Sequence, residues 1–440
     1  MHMSKIIVSA TPAAGHTGPL LRIAAHLSDA GHEVVFLGGS RYAEQAKEAG
    51  LAFQALPEEA DYDDRDFVAA FPQRELVPAG PDRTAWDVMH VFGDPIPSQA
   101  GSLRHLLADF PASVVIYDNL FLGAVALAMT EPGSRPTMIS VGISPLGVPS
   151  RDTAPHMLGL LPPVDDAQRA QYAAIAEQML AAGRPMVEHL VGRFAAAGVT
   201  HPEEPMTRVW TESADHFVQL TVPGFEYPRT DLPANVSFVG ALPLPAGAGQ
   251  ELPDWWPELT QARAQGRRVV VVTQGTLANA DLTTLVVPTV QALAERADVL
   301  LVAATARPDG AQAIAAELSV IPANTRAVGY VPFDALLPFA DVLVTNGGYG
   351  GVQAALGHGV PVVVAGETED KPEVAARVEW SGTGRNLRTA RPTVEALAAA
   401  VDTVLTTPSY REQAAELRTE LSRYDALELI TALITTADQS

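Results

Sequence analysis

His16 is the residue whose type and position point most clearly to chemistry. It lies in the turn at residues 12–19, after a strand-like run at 5–10 and before a helix-like run at 20–29. Ligands of open α/β sheets bind in the crevice at the carboxyl ends of the strands. An imidazole with an unperturbed pKa of about 6.5 can take a proton from a hydroxyl group at neutral pH. The position therefore makes His16 a candidate general base, with an ordinary loop histidine as the alternative.

Asp118 is a candidate partner for this histidine. It ends a second apolar run at 114–117, so it is predicted at the same edge of the sheet as His16. A carboxylate there can orient the imidazole and stabilise the imidazolium, as the aspartate of a catalytic triad does. Asp118 is equally suited to cap a helix beginning at Leu120, because aspartate is a favoured N-cap residue. The residues alone leave both interpretations open.

A glycine-rich segment at 345–356 joins a buried strand to a helix. Its glycines are Gly347, Gly348, Gly350 and Gly351. Each one inside a helix costs about 0.8–1 kcal/mol, and bare backbone at a helix start would let a diphosphate approach the N–H groups and the positive end of the dipole. Close packing of helix on sheet is the alternative. The turn at 273–276 adds Gly275 and Thr276 as donors, whereas the dinucleotide and Walker A patterns are lacking.

The acidic segment at 367–371 follows another predicted strand. Its carboxylates are suited to accept hydrogen bonds from sugar hydroxyls. They can equally be the acids that favour the first turn of a helix. Glu369 and Asp370 as metal ligands would be two adjacent acids without a further ligand pattern, so no metal site is predicted.

Composition restricts the class of protein. The chain has 440 residues, 47% hydrophobic and 18% charged, a net charge of −22 and no cysteine. The negative charge argues against nucleic acid and anionic membranes as partners, and the lack of cysteine excludes disulfides and thiolate catalysis. No apolar run approaches the roughly 18 residues of a membrane span. Without a secretory leader pattern, a cytoplasmic protein is expected.

Strand-like and helix-like runs alternate in both halves of the chain, which predicts parallel sheets covered by helices on both faces. Candidate strands lie near 6–11, 33–37, 114–118, 137–141, 268–273, 298–304, 326–331, 341–345 and 361–365, with helices near 18–30, 166–197, 393–406 and 409–437. A Pro/Gly-rich segment separates the halves. The predicted units are an N-terminal domain at 1–220, a linker at 221–250, a C-terminal domain at 251–415, and a terminal helix at 416–440 that packs back on the first domain. The fold class is α/β, with two Rossmann-like domains facing a cleft.

Five segments together resemble the family 1 glycosyltransferases, in particular the bacterial natural-product and macrolide branch, which shares its fold with plant UDP-glycosyltransferases. They are PAAGHTGP, VVIYDN, TQGT, GYVPFDALL and TNGGYGGVQAALGHGVPVVVAGETEDK. The resemblance covers nearly the whole chain and implies the GT-B arrangement. It implies His16 as the catalytic base and Asp118 as its partner. The implied donor-binding residues are Gly275, Thr276, Tyr330, Val331, Phe333, Asn346, Gly347, Gly348, Gly350, Gly351, Asp370 and Lys371.

The sequence departs from the family pattern in three respects. Asn346 stands where the family has a phosphate-contacting histidine, so a neutral amide replaces a group that can carry charge. Lys371 replaces a sugar-contacting glutamine, and Gly350 with Gly351 replaces an Asn-Ser pair. These departures also permit an impaired enzyme.

The resulting expectation is an inverting, metal-independent glycosyltransferase that needs no cofactor and acts as a monomer or homodimer. Its partners would be a UDP- or dTDP-sugar and a small hydrophobic acceptor. Apolar residues in the irregular region 57–97 suggest the acceptor site, although at least half of them are expected to be core. They are Phe67, Phe71, Trp86, Met89 and Phe92. The alternatives are a non-catalytic sugar-nucleotide-binding protein, a sugar-nucleotide epimerase and, last, a nicotinamide dehydrogenase.

Overall fold

The computed structural model describes residues 3–78, 80–202, 204–244, 251–275 and 279–437. It contains two parallel sheets, one of seven strands and one of six. The strands are β1 (Lys5–Ser9), β2 (Glu33–Gly38), β3 (Ala52–Ala55), β4 (Val114–Asp118), β5 (Thr137–Gly142), β6 (His216–Gln219), β7 (Val236–Phe238), β8 (Arg268–Thr273), β9 (Val299–Ala304), β10 (Thr325–Val328), β11 (Val342–Thr345), β12 (Val362–Val364) and β13 (Gly384–Asn386). The α/β class is confirmed.

The helices cover both sheets and connect their strands. They are α1 (Ala14–Asp29), α2 (Ala43–Glu48), α3 (Phe67–Ala70), α4 (Pro81–Asp87), α5 (Ile96–Asp109), α6 (Leu122–Ala128), α7 (Asp166–Ala182), α8 (Arg184–Ala196), α9 (Met206–Glu212), α10 (Pro257–Ala264), α11 (Val286–Leu293), α12 (Gly310–Leu318), α13 (Phe333–Leu336), α14 (Tyr349–Gly357), α15 (Lys371–Trp380), α16 (Val394–Thr406), α17 (Pro408–Leu421) and α18 (Ala426–Ala437). Between α4 and α5 the chain forms a π-helical turn, Val88–Gly93.

Strand order explains where a ligand can bind. The first sheet runs β3-β2-β1-β4-β5-β6-β7 and the second β10-β9-β8-β11-β12-β13. In each sheet the order reverses between two neighbouring strands, β1 and β4 in the first and β8 and β11 in the second. Ser9 pairs with Tyr117 and Thr273 with Thr345 across these reversals. The connections that follow the two strands at each reversal leave in opposite directions. This opens a crevice at the carboxyl ends of the strands.

The central strands are apolar on both faces because helices cover both. In β1, Ile7 belongs to the core under α5 and α6, while the adjacent Ile6 and Val8 belong to the core under α1. The second sheet is built the same way, with Val271 in one core and Val270 in the other. Continuous apolar runs therefore predict these strands well.

Four strands, β3, β6, β7 and β13, are absent from the sequence prediction. All are short, three or four residues. Three of them are edge strands and β6 lies next to one, where polar residues on one side of the strand are tolerated. Strand β7 lies inside the segment 221–250 that the turn-forming residues favoured as a linker, and it is the edge strand of the first sheet.

The end of the chain returns to the first domain. Helices α17 and α18 divide the run at 409–437, and Ala426, Ile430 and Ile434 of α18 are buried in the core formed with β1. The long run at 166–197 is likewise two helices, which meet at Gly183. Proline at 185 favours a new first turn there, because it lacks the N–H that a helix interior needs.

Candidate active site

His16 and Asp118 form a hydrogen-bonded pair at the reversal of the first sheet. Imidazole Nδ1 lies 2.8 Å from Asp118 Oδ1, and the carboxylate is 0% exposed whereas the His16 side chain is 17% exposed. Asp118 also accepts the main-chain N–H groups of Thr11 at 2.7 Å and Leu120 at 2.9 Å. Because a carboxylate accepts hydrogen bonds, Nδ1 carries the proton of the neutral ring. Nε2 is then the nitrogen that can accept a proton.

The capping interpretation of Asp118 is wrong. Helix α6 begins at Leu122, and its N-cap residue is Phe121, which makes no side-chain capping bond. Asp118 lies before that cap and organises the turn through Leu120. Its contact with His16 is thus not a by-product of helix capping.

The helix that carries His16 begins earlier than the sequence predicts. Helix α1 starts at Ala14 rather than near residue 18, and the Ala14 N–H donates to Asp64 Oδ2 at 2.7 Å. Asp64, buried in the region predicted as loops, also accepts the hydroxyl of Tyr42 at 3.0 Å. His16 therefore sits in the first turn, where the helix dipole disfavours a positive charge. The buried Asp118 carboxylate offsets that effect.

An aromatic wall formed by Tyr62, Phe67, Phe71 and Trp86 lies in the region predicted to contact the acceptor. Ring centroids of Phe67 and Phe71 are 4.8 Å apart, and Phe71 lies 6.1 Å from Trp86. Tyr62, which sequence reasoning missed, meets Phe71 at 5.0 Å. Burial and the nearby Asp118 carboxylate both raise the pKa of Tyr62, so this wall is close to the His16–Asp118 pair.

Phe92 connects that region to His16. The two rings are 5.7 Å apart, and Phe92 and Met89 both belong to the π-helical turn. The expectation that at least half of the five predicted acceptor residues are core is wrong, because all five are only partly buried. Phe92 additionally packs against the core of the first domain.

The glycines after β11 fall into two groups. Gly347 has φ +92°, and an added Cβ would lie 2.7 Å from Val364, so backbone and packing both require glycine there. At Gly348, Gly350 and Gly351 an added Cβ would meet nothing within 4 Å. Helix–sheet packing therefore does not explain these three. They leave open space at the N-terminus of α14, which Gly348 precedes as N-cap.

Asn346 connects the loop after β11 to the loop after β8. Its Nδ2 donates to the main-chain oxygen of Gln274 at 2.7 Å, which uses one of its two N–H groups. Gly275, the next residue in that loop, has φ +71° and open space where a Cβ would be. Thr276 lies outside the described residues.

Asp370 and Lys371 begin α15 on the side of the second domain that faces His16. Burial raises the pKa of the Asp370 carboxyl to about 6, while its own main-chain hydrogen bond and then His16 and Arg377 act in the opposite direction. Burial lowers the pKa of Lys371 to about 8. The Lys371 ammonium pairs with Glu369, a non-glycine residue with φ +51°, and donates to Thr368 Oγ1 at 3.1 Å.

The predicted base-binding residues do not share one environment. Tyr330 is 62% exposed, as a residue that stacks on a ligand from solvent must be. Val331 and Phe333 are partly buried and pack against the core of the second domain. Phe333 begins α13. Val331 and Phe333 thus share a core with Tyr349 and Val352 of α14, whereas Tyr330 faces solvent.

A buried ion network between the domains was not predicted from the sequence. Arg377 Nε donates to Glu226 Oε1 and Arg377 Nη1 to Glu373 Oε2, both at 2.8 Å, and the Arg377 side chain is 1% exposed. Glu373 Oε1 accepts the N–H of Gly159 at 2.9 Å, and burial lowers the pKa of the adjacent His156. These contacts hold α15, and with it Asp370 and Lys371, against the first domain.

With this geometry described, comparison with known proteins defines the family. Residues 300–435 match the family described as "Erythromycin biosynthesis protein CIII-like, C-terminal domain". The chain is 38% identical to "UDP-glycosyltransferase 2" of Phaeomoniella chlamydospora, over 97% of this chain and 94% of that protein. It is 36% identical to "4'-demethylrebeccamycin synthase" of Lentzea aerocolonigenes, over 98% of this chain and 100% of that protein. A solved structure, the "Glycotransferase of kitacinnamycin", superposes with a TM-score of 0.74 at 22% identity, covering 99% of both chains.

Two parallel-sheet domains and a superposition over 99% of the chain on a solved glycosyltransferase define the GT-B fold. The chain belongs to the family 1 glycosyltransferases, enzymes that transfer hexosyl groups from nucleotide sugars. The predicted fold and enzyme class are confirmed. Among the helices of the described ranges, none has the length and apolarity that crossing a membrane requires.

Proposed function

We propose that this chain is an inverting, metal-independent glycosyltransferase that moves a hexose from a UDP- or dTDP-linked donor to a hydroxyl of a small apolar natural product. The His16–Asp118 pair carries the proposal, since Asp118 holds Nδ1 at 2.8 Å and leaves Nε2 to take a proton. His16 also lies near enough to Asp370 of the other domain for their charges to interact. The base and the donor-side residues therefore border one cleft.

The transfer step follows from this arrangement. His16 Nε2 takes the proton of the acceptor hydroxyl as the oxygen forms a bond to the anomeric carbon. Attack comes from the face opposite the diphosphate, so the configuration inverts. The bond from the anomeric carbon to the phosphate oxygen breaks, and its electron pair leaves with the nucleoside diphosphate. Asp118 stabilises the imidazolium that forms.

The negative charge of the leaving diphosphate needs a positive environment. The open glycine backbone at the start of α14 supplies N–H groups and the positive end of a helix dipole. Lys371 adds a cation at neutral pH, because its pKa of about 8 keeps it mostly protonated there. Such fixed charges can replace a divalent ion in stabilising the leaving group.

Relatives and site chemistry guide the choice of substrates. The name of the Phaeomoniella relative includes UDP, which favours UDP over dTDP as the nucleotide. The aromatic wall with Phe71 and Trp86 favours an apolar, flat acceptor such as an aromatic or polyketide-like compound. The name of the Lentzea relative, a rebeccamycin-type synthase, supports a natural product and, with it, the bacterial branch of the family.

A non-catalytic sugar-nucleotide-binding protein is the second candidate. The observation that favours it is the Asn346–Gln274 bond, which commits one amide N–H to the protein. A screen of UDP- and dTDP-sugars against apolar phenols and macrolide aglycones, read by product mass and by nucleotide release, separates the two. Acceptor-dependent nucleotide release with a matching glycoside mass supports the transferase. Tight nucleotide binding without acceptor-dependent release in any pairing would support the binding protein.

Sugar transfer is expected to continue at the same rate in the presence of EDTA. The reason is that backbone donors, the α14 dipole and Lys371 are proposed to neutralise the diphosphate. Initial rates with and without EDTA, at saturating donor and acceptor, measure this. A loss of rate that magnesium or manganese restores would contradict the prediction and identify Glu369 and Asp370 as candidate ligands.

Three substitutions of Asn346 should differ in nucleotide-diphosphate affinity. Asn346→Ala removes the bond to Gln274 and a donor for phosphate, and a hydrogen bond to a charged group contributes about 1.5–3 kcal/mol. Asn346→Asp should bind more weakly still, since it sets a carboxylate beside an anion and a carbonyl. Asn346→His should bind about as well as the parent, because imidazole can donate to the same oxygens. Calorimetric titration with UDP gives the order, and equal affinity in the parent, Ala and Asp proteins would exclude a phosphate contact.

A further inference from the structure

A cluster of two imidazoles and a carboxylate lies beside the acceptor region. His90 Nδ1 is 2.8 Å from Asp94 Oδ2, and His189 Nε2 is 2.8 Å from Asp94 Oδ1. His90 belongs to the π-helical turn and His189 to α8. Elsewhere in the described ranges, no set of three histidine, cysteine or acidic side chains brings its ligand atoms within 4.8 Å of one another. The transfer reaction does not use this cluster.

We propose that His90, Asp94 and His189 bind one divalent transition-metal ion, Zn²⁺ being the best match, with water as a fourth ligand. Imidazole nitrogen and carboxylate oxygen are usual zinc ligands, and three protein ligands with one open position are a common coordination pattern. The three side chains are about one-third exposed, at 34%, 41% and 28%, so an ion and its water can reach them.

The distances fit an ion with modest side-chain rotation. Tetrahedral bonds of about 2.0–2.1 Å separate neighbouring ligand atoms by roughly 3.3 Å. Here each imidazole nitrogen lies 2.8 Å from its carboxylate oxygen, and the three ligand atoms lie within 4.8 Å of one another. A ligand separation of four residues on one helical face, as between His90 and Asp94, is also used by zinc enzymes. Single π-helical turns occur frequently at functional sites.

Arg193 is the residue that opposes a bound cation. Its Nη2 donates to the main-chain oxygen of Asp94 at 2.6 Å, and its Nε lies 3.7 Å from Asp94 Oδ1. The guanidinium is thus held mainly by the backbone, and the carboxylate oxygens stay directed at the two imidazoles. Its charge lowers the affinity for a second cation through repulsion. Removing that charge should therefore increase metal affinity.

A metal here would stiffen one side of the acceptor region. His90 packs against Trp86 with tilted rings whose centroids are 4.7 Å apart, and Phe92 of the same π-helical turn lies beside His16. Joining that turn to α8 through an ion would fix both aromatic side chains. The ion takes no part in the proposed transfer step. A chain that binds no metal would therefore contradict this proposal and leave the transferase proposal intact.

The experiment measures binding of Co²⁺ and Zn²⁺ to the full, tag-free, EDTA-treated chain. Co²⁺ should give the visible absorption of a tetrahedral site at one ion per chain, and Zn²⁺ should displace it. Asp94→Asn and His189→Ala should each weaken Zn²⁺ binding at least about 100-fold, the upper end of what loss of an outer-shell partner causes. Arg193→Gln should tighten it about threefold or more, since a nearby like charge is removed. Thermal melting checks that each variant is folded.

His105→Ala is the matched control, because His105 and Asp109 form another histidine–aspartate pair with the same spacing, exposed and 3.6 Å apart. Zn²⁺ affinity should be unchanged in that variant. The proposal is overturned if the parent chain gives no tetrahedral Co²⁺ spectrum. It is also overturned if Asp94→Asn and His189→Ala bind Zn²⁺ as tightly as the parent, or if His105→Ala loses as much affinity as they do.

Discussion

Replacing His16 by alanine is expected to slow sugar transfer by about 10²–10⁴-fold, the usual effect of removing a general base. Folding and UDP affinity should change little, because His16 is on the first domain and its imidazole acts on the attacking oxygen. The side chain is partly exposed, and its hydrogen bond among the described residues is to Asp118. Turnover measured at saturating donor and acceptor, together with UDP titration, tests both halves of this expectation.

Two further variants test whether the loss of turnover is specific to His16 and to its contact with Asp118. His26→Ala removes another histidine of α1, one that faces Glu428 at 3.6 Å, and should leave turnover near that of the parent. Asp118→Asn should slow transfer by turning the imidazole away from its working orientation. It will also disturb the turn, since Asp118 accepts the N–H groups of Thr11 and Leu120. Near-parental turnover in His16→Ala would remove His16 as the base.

Asp118 and His16 show what the sequence could predict. Both follow apolar runs that are too continuous to be anything but buried strands, and such runs end at the same edge of a parallel sheet. That rule predicts that the two side chains share one edge of the sheet, but it leaves open whether Asp118 contacts His16 or caps a helix, and the 2.8 Å distance shows the contact. The start of α1 was missed because its first N–H group is satisfied by Asp64, a residue 50 positions away. Local patterns carry no sign of such a partner.

The glycine-rich region at 345–356 likewise shows that local patterns predict elements but not the contacts between distant residues. Gly347 could be recognised as part of a helix start, but its packing against Val364 could not. Asn346 was recognised as unusual, yet its bond to Gln274 crosses two loops that are 72 residues apart. Short edge strands such as β13 lack enough residues for a periodic pattern. The buried pair Arg377–Glu226, separated by 151 residues, has no local signal at all.

Arg377→Met is expected to destabilise the folded chain by about 3–5 kcal/mol, the usual result of breaking a buried ion network by removing one partner. Glu226 and Glu373 would then be two buried carboxylates without their shared cation. Arg388→Met is the control, because Arg388 pairs with Glu379 at the surface and is 57% exposed, where such pairs contribute little. Urea denaturation at neutral pH compares the three proteins. A loss under about 1 kcal/mol in Arg377→Met would contradict the assignment of a buried network.

The pH dependence of the stability lost in Arg377→Met is the stronger test of the buried ion network. In the parent, despite the opposing effect of burial, the positive charge of Arg377 helps hold the pKa of Glu226 below its ordinary value of 4.5, and His156 with Arg377 does so for Glu373. Lowered folded-state pKa values contribute stability above about pH 4.5 that disappears as the pH falls through the folded pKa. In Arg377→Met the two carboxyls lose the cation that they share, while Glu226 keeps Arg229 at 3.3 Å and Glu373 keeps His156 at 3.8 Å. Burial then outweighs the remaining charges more easily, so the pKa of each carboxyl should rise and the carboxyls should bind protons on acidification. The stability difference between parent and variant should therefore shrink from pH 7 to pH 5. Nucleotide-sugar affinity should fall in the variant at both pH values, since Arg377 holds the helix that begins with Asp370 and Lys371. A stability difference that stays constant with pH would mean that the two carboxyls do not depend on Arg377 for their charge.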